Sequence, residues 1–232
     1  MEKGKKWQNY FEHIANKYNL GIKKSAPVVI FLDGKSVTSS NFVNLNTESM
    51  GSFNDAFDKT VKYFSEKYKA TAIYGVDEVS FIFENPSYLI EDLKPKKVRA
   101  HDINSKFAQM FFDEFDKNMK SGTIYWHCKT SNIPRGKVKS FLKYRSTGIF
   151  ELFMTYFLKR MGVKNAGSII LSEKIKMCSK YPEYSKVKQF EKGHLYINGD
   201  LIDLVPYIEE GKVNKLEEIK RENTIYFGLE DF

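Results

Sequence analysis

Two apolar runs that each meet carboxylates constrain this fold more than any other feature of the sequence. The first run, at 28–32, is followed by Asp33, and the second, at 72–83, is interrupted by Asp77 and Glu78. A carboxylate at the end of a buried strand is costly unless something pairs with it. If the two strands come together, their carboxylates form a cluster whose most favourable partner is a divalent cation. The pattern therefore favours a metal site for nucleotidyl transfer, whereas each motif alone is also compatible with an ordinary turn.

Hydrophobic periodicity predicts a β-α-β-β-α-β order in the first half of the chain. The six elements fall at 27–33, 50–68, 71–76, 79–84, 97–118 and 123–129. The run at 27–33 has no polar interruption, which predicts a strand buried on both faces. The first helix carries an apolar stripe of Phe53, Phe57, Val61 and Phe64. Residues 35–49 are predicted to be a loop, and Val76-Asp77-Glu78 a tight hairpin turn.

Further elements flank these six. We expect helices at 6–19, 136–161 and 165–178, and a hairpin at 194–203 around Asn198-Gly199. The order is that of a ferredoxin-like polymerase palm, an α+β fold with an antiparallel sheet and helices on one face, here with appended C-terminal helices and a hairpin. We expect a single domain over 1–232, with its core at about 25–130 and a C-terminal part at about 131–232.

Composition narrows the environment and the partners. The chain has 232 residues and a net charge of +8, which favours an anionic partner such as nucleic acid, although many lysine-rich chains are merely basic. It has no run of eighteen apolar residues and no apolar segment at its N-terminus, so we expect neither a membrane span nor a secretory signal. Cys128 and Cys178 form no C-x-x-C motif, which fits a reducing compartment, and we expect the cytoplasm.

The acidic motifs suit a particular chemistry if the fold is a palm. Asp33 would then lie opposite Asp77 and Glu78, and two Mg²⁺ ions held there would clamp a nucleoside triphosphate. The glycine after Asp33 lets the backbone approach metal or phosphates without a Cβ in the way. Successive backbone N–H groups in the following loop can cradle the triphosphate. That loop consists of Gly34, Lys35, Ser36, Val37 and Thr38.

Two basic residues on predicted helices are further candidates for nucleotide binding. Arg145 falls on the apolar stripe of its helix, where a guanidinium needs an anionic partner. That partner is a phosphate, the acidic cluster, or a carboxylate in a purely structural ion pair. Lys106 lies beside Phe107 and either faces the site or is a solvated, snorkelling lysine. His127 and Cys128 alternate along a strand and face opposite ways, so they cannot hold one metal together.

The motifs resemble the tRNA-His guanylyltransferase family (Thg1-like proteins), whose members are reverse, 3′-to-5′ polymerases. The resemblance rests on Phe31-Leu32-Asp33-Gly34-Lys35, on the hairpin Tyr74 to Phe83 and on Ser105-Lys106-Phe107. Weaker matches are Phe141-Leu142-Lys143-Tyr144-Arg145, which resembles a Tyr-hydrophobic-x-Trp-Arg segment, and Lys192-Gly193. The matches follow the family's order from residue 31 to residue 193. The Asp-Glu-x-Ser-Phe-x-Phe pattern of the hairpin is the most specific of them.

The resemblance implies a catalytic site and an assembly. Family members have a palm-like catalytic domain and usually form tetramers. Two Mg²⁺ ions would be held by Asp33, the backbone carbonyl of Gly34 and Asp77, with Glu78 beside them. By the same resemblance, Asp33, Asp77 and Glu78 are the expected catalytic residues.

The resemblance also implies a reaction. The incoming nucleotide would lie along 33–38 and the start of the hairpin at Val76-Asp77, and Lys106 would contact its triphosphate. The enzyme would activate a tRNA 5′-monophosphate with ATP. The 3′-hydroxyl of GTP, or of another nucleotide in repair members, would then attack the activated 5′ end.

The sequence departs from the family in residues that fix the substrate. The family's His-Ile-Asn-Asn-Leu-Tyr-Asn motif is replaced at 150–156 by Phe-Glu-Leu-Phe-Met-Thr-Tyr. Val37 and Thr38 replace a Phe and a His of the first loop. No lysine lies between Lys35 and Lys59, where the family has one for phosphate. These differences predict a diverged member that repairs 5′ ends or makes another nucleotide bond.

Two other functions are compatible with the same residues. A palm with these carboxylates can be a nucleotide cyclase or a dinucleotide-forming enzyme of the GGDEF type. The chain can also be a catalytically inactive relative that binds RNA or nucleotide. The presence of Asp33, Asp77 and Glu78 together argues against this last alternative.

Overall fold

A six-stranded antiparallel sheet organises the computed structural model, which describes residues 21–35, 47–95, 98–119, 124–188 and 193–203. The strands are β1 (Val28–Lys35), β2 (Thr71–Gly75), β3 (Glu78–Phe83), β4 (Tyr125–Asn132), β5 (His194–Ile197) and β6 (Asp200–Asp203). Their order is β4-β1-β3-β2-β5-β6. The first four strands therefore have the ferredoxin-like arrangement predicted from the sequence, and the C-terminal hairpin extends the sheet beyond β2.

Six α-helices in the described residues cover the two faces of the sheet. They are α1 (Thr47–Tyr68), α2 (Ser87–Leu93), α3 (Ala100–Met119), α4 (Val138–Arg160), α5 (Leu171–Cys178) and α6 (Pro182–Val187). The helices α1 and α3, which belong to the ferredoxin-like core, pack on one face, whereas α4 to α6 pack on the other. The predicted α+β palm fold is thereby confirmed. None of the described helices has the length and apolar character needed to cross a membrane.

The core between the sheet and α1/α3 is rich in aromatic rings. The stripe predicted for the first helix is fully or almost fully buried at Phe53, Phe57, Val61 and Phe64. From the sheet, Val28, Ile30 and Leu32 point into this core. Successive ring contacts, such as the stacked pair Phe57–Trp126 at a centroid distance of 5.4 Å, join the helices to β4.

The core on the opposite face is built on the apolar stripe of α4. Its buried members include Val138, Phe141, Leu142, Ile149, Phe153 and Phe157. Alternate residues of the sheet, including Val29, Ile73 and Ile82, meet this stripe. Because even and odd residues of β1 enter different cores, the strand is buried on both faces, as its uninterrupted apolar run predicted.

Several predicted boundaries differ from the structure. The turn between β2 and β3 contains only Val76 and Asp77, because Glu78 is already the first residue of β3. The helix predicted at 165–178 is broken: a 3₁₀ turn at Ala166–Ser168 precedes α5, since Ile169 and Ile170 have extended ψ values of 137° and 150°. Helix α2 was not predicted. The helix expected at 6–19 and most of the expected 35–49 loop lie outside the described residues.

The C-terminal hairpin forms where the sequence predicted it. Asn198 and Gly199 occupy its two turn positions with φ values of 53° and 93°. Positive φ at both positions is the geometry that matches the twist of two antiparallel strands, and Asn-Gly adopts it at low cost. The hairpin pairs through β5 with β2, so it lies beside the strand that leads into the Val76-Asp77 turn.

Candidate active site

The end of β1 and the β2–β3 turn lie side by side. The backbone N–H of Gly34 donates a hydrogen bond of 2.9 Å to the backbone carbonyl of Asp77. Asp33 is directly opposite Glu78 in the antiparallel ladder. This hydrogen bond flanks the Asp33–Glu78 pair, so the pair is of the non-hydrogen-bonded kind, in which Cα atoms are about 4.5 Å apart and side chains are close. The structure thus brings Asp33, Gly34, Asp77 and Glu78 to one end of the sheet.

The Asp33 carboxylate is in an unfavourable environment when it is ionised. Its pKa is raised, first by partial burial and then by the negative charge of Glu78. Positive charge from His127, Arg145 and Lys129 opposes the shift. A half-buried carboxylate opposite another carboxylate is a site at which an added cation is strongly favoured.

Arg145 supplies part of the missing positive charge from α4. Its Nη2 forms a short ion pair with Oε2 of Glu78, and the two side chains are only 10% and 18% exposed. The guanidinium also lies over the ring of Phe31, with 4.8 Å between Cζ and the ring centroid. Of the partners considered from the sequence, the structure places Arg145 against the acidic cluster. A guanidinium held by both an ion pair and a ring is fixed in orientation.

The turn that carries Asp77 is pressed against α4. Asp77 is 2% exposed, and Val76 has a φ of 59°, which is rare for a β-branched residue. A Cβ on Gly75 would come within 2.3 Å of Cγ2 of Ile149 and 3.2 Å of the Gly193 Cα. The close approach of helix and hairpin therefore requires glycine at position 75, and the packed environment maintains the strained turn.

Strand β4 brings residues to the site that were not predicted from the sequence. His127 is the ladder partner of Asp33 on the side away from β3, and Lys129 is the partner of Phe31. Burial and the charges of Lys129 and Lys35 lower the pKa of His127, whereas Asp33 opposes this shift. The predicted strand order already put the fourth strand next to the first. The register of the two strands decides which residue faces Asp33, and this register could not be predicted from the sequence.

In the structure, the Lys106 side chain lies at the C-terminal end of α2 instead of at the carboxylates. Its ammonium donates to the backbone carbonyls of Leu93 and Lys94, at 2.5 and 2.8 Å, where α2 ends. Lys106 is on α3, which packs on the sheet face opposite Arg145. A lysine beside helix C-terminal carbonyls is favourably placed without any ligand. A contact between Lys106 and a nucleotide would require the lysine to leave these carbonyls.

The remaining residues of the predicted nucleotide loop divide into two groups. Lys35 is exposed and is the last residue of β1. Ser36, Val37 and Thr38 lie outside the described residues.

The segment 150–156, where the family's His-Asn motif is missing, is part of the core. Phe150, Phe153 and Met154 are buried against the sheet or the C-terminal helices. Glu151 accepts a hydrogen bond of 2.7 Å from Lys174, whose side chain is 1% exposed. This stretch of α4 is therefore committed to packing and to one interhelical ion pair.

The oxygen ligands at this site fit Mg²⁺ only if substrate phosphates complete the coordination. In the part of the chain that the structure describes, no three His, Cys, Asp or Glu side chains are grouped as ion ligands. Glu78 is already held by Arg145. The groups that lie next to one another are Asp33, Asp77 and the backbone of Gly34. Mg²⁺ is commonly bound by one or two carboxylates together with substrate phosphates and water, and these residues fit that pattern.

The fold and this group of residues define a class of protein, the palm-type α+β proteins with carboxylates at the end of the first strand and in the adjacent hairpin. No protein-family model and no curated protein sequence matches the chain. Solved structures do match. A bacterial tRNA(His) guanylyltransferase (Thg1)-like protein in complex with ATP has a TM-score of 0.55 at 14% identity, over 84% of this chain and 83% of that chain.

Two further structures agree with this match. A bacterial protein of the same description in complex with GTP has a TM-score of 0.52 at 13% identity, over 93% of this chain and 98% of that chain. The tRNA(His) guanylyltransferase of Saccharomyces cerevisiae has a TM-score of 0.50 at 15% identity, over 81% and 92%. The resemblance inferred from the sequence motifs is therefore confirmed at the level of the fold.

Proposed function

We propose that the chain is a metal-dependent nucleotidyltransferase that adds a nucleotide to the 5′ end of tRNA or a tRNA-like RNA, in the 3′-to-5′ direction. The observation that carries the proposal is the hydrogen bond of 2.9 Å between Gly34 and Asp77, which joins the two carboxylate motifs. Its support is the shared fold of proteins whose structures contain ATP or GTP. Both nucleotides are proposed substrates here.

The residues have distinct roles in this proposal. Asp33, Asp77 and the Gly34 carbonyl would hold two Mg²⁺ ions together with the triphosphate. Mg²⁺ at such a site neutralises phosphate charge and stabilises the attacking and leaving oxygens. Glu78 fixes Arg145, which in turn offers its remaining N–H donors toward phosphate oxygens.

In this proposal, the RNA whose 5′ end accepts the nucleotide is not restricted to tRNA-His. The sequence at 150–156 lacks the His and Asn residues of the family motif, and Phe150, Phe153 and Met154 of this stretch pack in the core. We therefore propose activity on a broader set of 5′-monophosphorylated RNAs. The proposal includes a cytoplasmic protein with a single domain over 1–232 that assembles as a homotetramer, which light scattering at several protein concentrations would test.

Labelled nucleotide provides the decisive experiment. The full chain is incubated with α-labelled GTP, ATP, Mg²⁺ and 5′-monophosphorylated tRNA, and label on the RNA is measured. Asp33→Asn and Asp77→Asn are expected to lower incorporation at least about a hundredfold. Asp55→Asn, which changes an exposed aspartate on α1, is the matched control. Wild-type incorporation in either site variant would contradict the proposal.

The same assay separates the two alternatives. Label in small cyclic or dinucleotide products, with none on RNA, would instead identify a cyclase of the GGDEF type. No product of any kind, together with no Mg²⁺-dependent binding of GTP in calorimetry, would identify an inactive binding module.

A further inference from the structure

One face of β4 forms a row of aromatic and basic side chains along the candidate site. Tyr125, His127 and Lys129 alternate with residues of the opposite face, so they point the same way. Their ladder partners on β1 are Lys35, Asp33 and Phe31 in that order. We call Tyr125 and Lys129, together with Lys35 on the neighbouring strand β1, the β4 track. Tyr125 and Lys129 lie one strand spacing, about 4.8 Å, from β1, which carries Asp33 and Lys35.

Tyr125 is unusual because it is a large ring left in solvent. Its exposed fraction is 68%, whereas the next residue, Trp126, is 8% exposed and packs in the α1/α3 core. Burial of Trp126 fixes the strand's orientation and forces Tyr125 outward on the site face. The fold gains little packing from the ring in this position, so the ring is free to contact a ligand.

The charges along the track favour an anion. Burial lowers the pKa of His127, and the positive charges of the nearby Lys129 and Lys35 lower it further. Strand β4, which carries Tyr125 and Lys129, is at the end of the β4-β1-β3-β2-β5-β6 order, so nothing in the described sheet pairs with its outer edge. With a net charge of +8, the whole chain adds to the attraction.

We propose that the β4 track binds a single-stranded RNA segment and leads its 5′ end to Asp33, with a base stacked on Tyr125 and phosphates against Lys129 and Lys35. The inference rests on the proposed function, because it concerns the RNA substrate of that same site. A basic groove with an aromatic ring is how proteins hold single strands without reading sequence. Such recognition suits an enzyme whose residues for one particular tRNA are absent.

The track is long enough for several nucleotides of RNA. Residues two apart in a strand are separated by about 6.8 Å, so Tyr125 and Lys129 are roughly 13 Å apart. A single strand advances by about 3.4 Å per stacked nucleotide, so several nucleotides can span the track. The competing explanation is that Lys129 merely protects an exposed edge from pairing with another chain. That explanation gives Tyr125 no role in binding.

Binding of RNA without nucleotide tests the role of Tyr125. Fluorescence anisotropy is measured for the full chain with a short, labelled, 5′-monophosphorylated single-stranded RNA. Tyr125→Ala is expected to weaken binding about tenfold, and Tyr125→Phe to bind like wild type, since stacking needs only the ring. Tyr88→Ala, which removes a tyrosine that is 61% exposed on α2, is the matched control. Equal affinity of Tyr125→Ala and Tyr88→Ala would overturn the proposal.

Salt dependence tests the lysines. Lys129→Gln and Lys35→Gln are each expected to reduce the slope of log K against log salt by about 0.7, as expected for one lost phosphate contact to a single strand. Lys186→Gln, at an exposed lysine of α6, should leave the slope unchanged. Unchanged slopes in both track variants, or a loss of GTP affinity in Tyr125→Ala with RNA affinity retained, would exclude the track as an RNA site. Circular dichroism melting confirms that each variant is folded.

The outcome is separable from that of the proposed function. Nucleotide transfer to RNA by wild type, with RNA affinity unaffected by all track variants, would refute the track and keep the function. RNA affinity lost in the track variants, with no nucleotide transfer by wild type, would keep the track and refute the function.

Discussion

Single side chains decide the charge balance of the candidate site. Asp33 and Glu78 face each other on adjacent strands, and the repulsion between their charges is offset by Arg145 from α4. The offset is partial, because the pKa of Asp33 is still raised. A carboxylate kept in this state is poorly stabilised in the protein alone and gains most from a bound cation.

Removal of Arg145 should expose that repulsion. Arg145→Met is expected to lower the free energy of unfolding by about 3 kcal/mol, because Glu78 is left half-buried without its counter-ion. Urea denaturation measures the change. Arg160→Met, at an exposed arginine in the last turn of the same helix, is the control and should be nearly neutral. Adding Glu78→Gln should recover part of the loss, and a double variant as unstable as the sum of the single ones would argue against the pairing.

Neutralising Asp33 should stabilise the metal-free protein. The raised pKa means that the folded state holds this proton more tightly than the unfolded chain, so stability falls as pH rises from the unfolded through the folded pKa. Asp33→Asn removes the penalty, and its Tm should exceed that of wild type at pH 8 by more than at pH 4. Differential scanning calorimetry without metal tests this, with Asp55→Asn as control. Mg²⁺ with GTP should raise the Tm of wild type and of Asp55→Asn, but not that of Asp33→Asn.

The β2–β3 hairpin and α4 act as one unit. Gly75 lets the hairpin approach Ile149 closely, and the same helix delivers Arg145 to Glu78 one turn earlier. Strain at Val76 is tolerated because the turn is enclosed on this side. The distance between helix and hairpin therefore controls both the position of Asp77 and the ion pair beside it.

Adding one methyl group at position 75 should disturb this unit. Gly75→Ala places a Cβ 2.3 Å from Cγ2 of Ile149, so α4 or the hairpin must shift, at an expected cost of about 1–3 kcal/mol. Gly148→Ala is the matched control, since its Cβ meets no atom within 4 Å, and a helical Gly→Ala change should stabilise by about 0.5–1 kcal/mol. Chemical denaturation measures both. Gly75→Ala with unchanged stability would mean that the close packing is not required.

The sheet carries a separate hydrophobic core on each of its faces. Outside these cores, an ion pair joins the end of the third strand to the turn before α4. Glu84, just after β3, makes such a contact with Arg135 at 3.3 Å. Burial raises the pKa of Glu84 to about 7, and its Oε1 has no hydrogen-bond partner in the described structure.

The raised pKa of Glu84 makes the stability of the protein depend on pH. Since the folded pKa lies above the unfolded value of 4.5, stability is highest below pH 4.5 for this group and is lost as pH rises toward 7. Glu84→Gln should therefore raise the free energy of unfolding at pH 8 by about 1 kcal/mol, allowing for its partial exposure, and change little at pH 4. Glu91→Gln, on the exposed side of α2, is the control. Equal effects at both pH values would contradict this assignment.

Local patterns were sufficient to predict the architecture. The β-α-β-β-α-β order follows from periodicities of 2.0 and 3.6 residues, and the Asn198-Gly199 turn from the φ preferences of those two residues. The apolar run of β1 was enough to infer burial on both faces of the strand. These features depend on neighbours in the chain, which is why they could be predicted without the structure.

Tertiary packing decided which side chains share the site. The register of β4 sets His127 opposite Asp33, and a shift by one residue would have placed Cys128 there instead. The choice of Glu78 as the partner of Arg145, and of helix carbonyls as partners of Lys106, depends on which face each helix covers. Contacts between residues far apart in the chain fix these choices. The carboxylates and the candidate cation Arg145 were therefore evident in the sequence, while the partner of Arg145 and the β4 track required the fold.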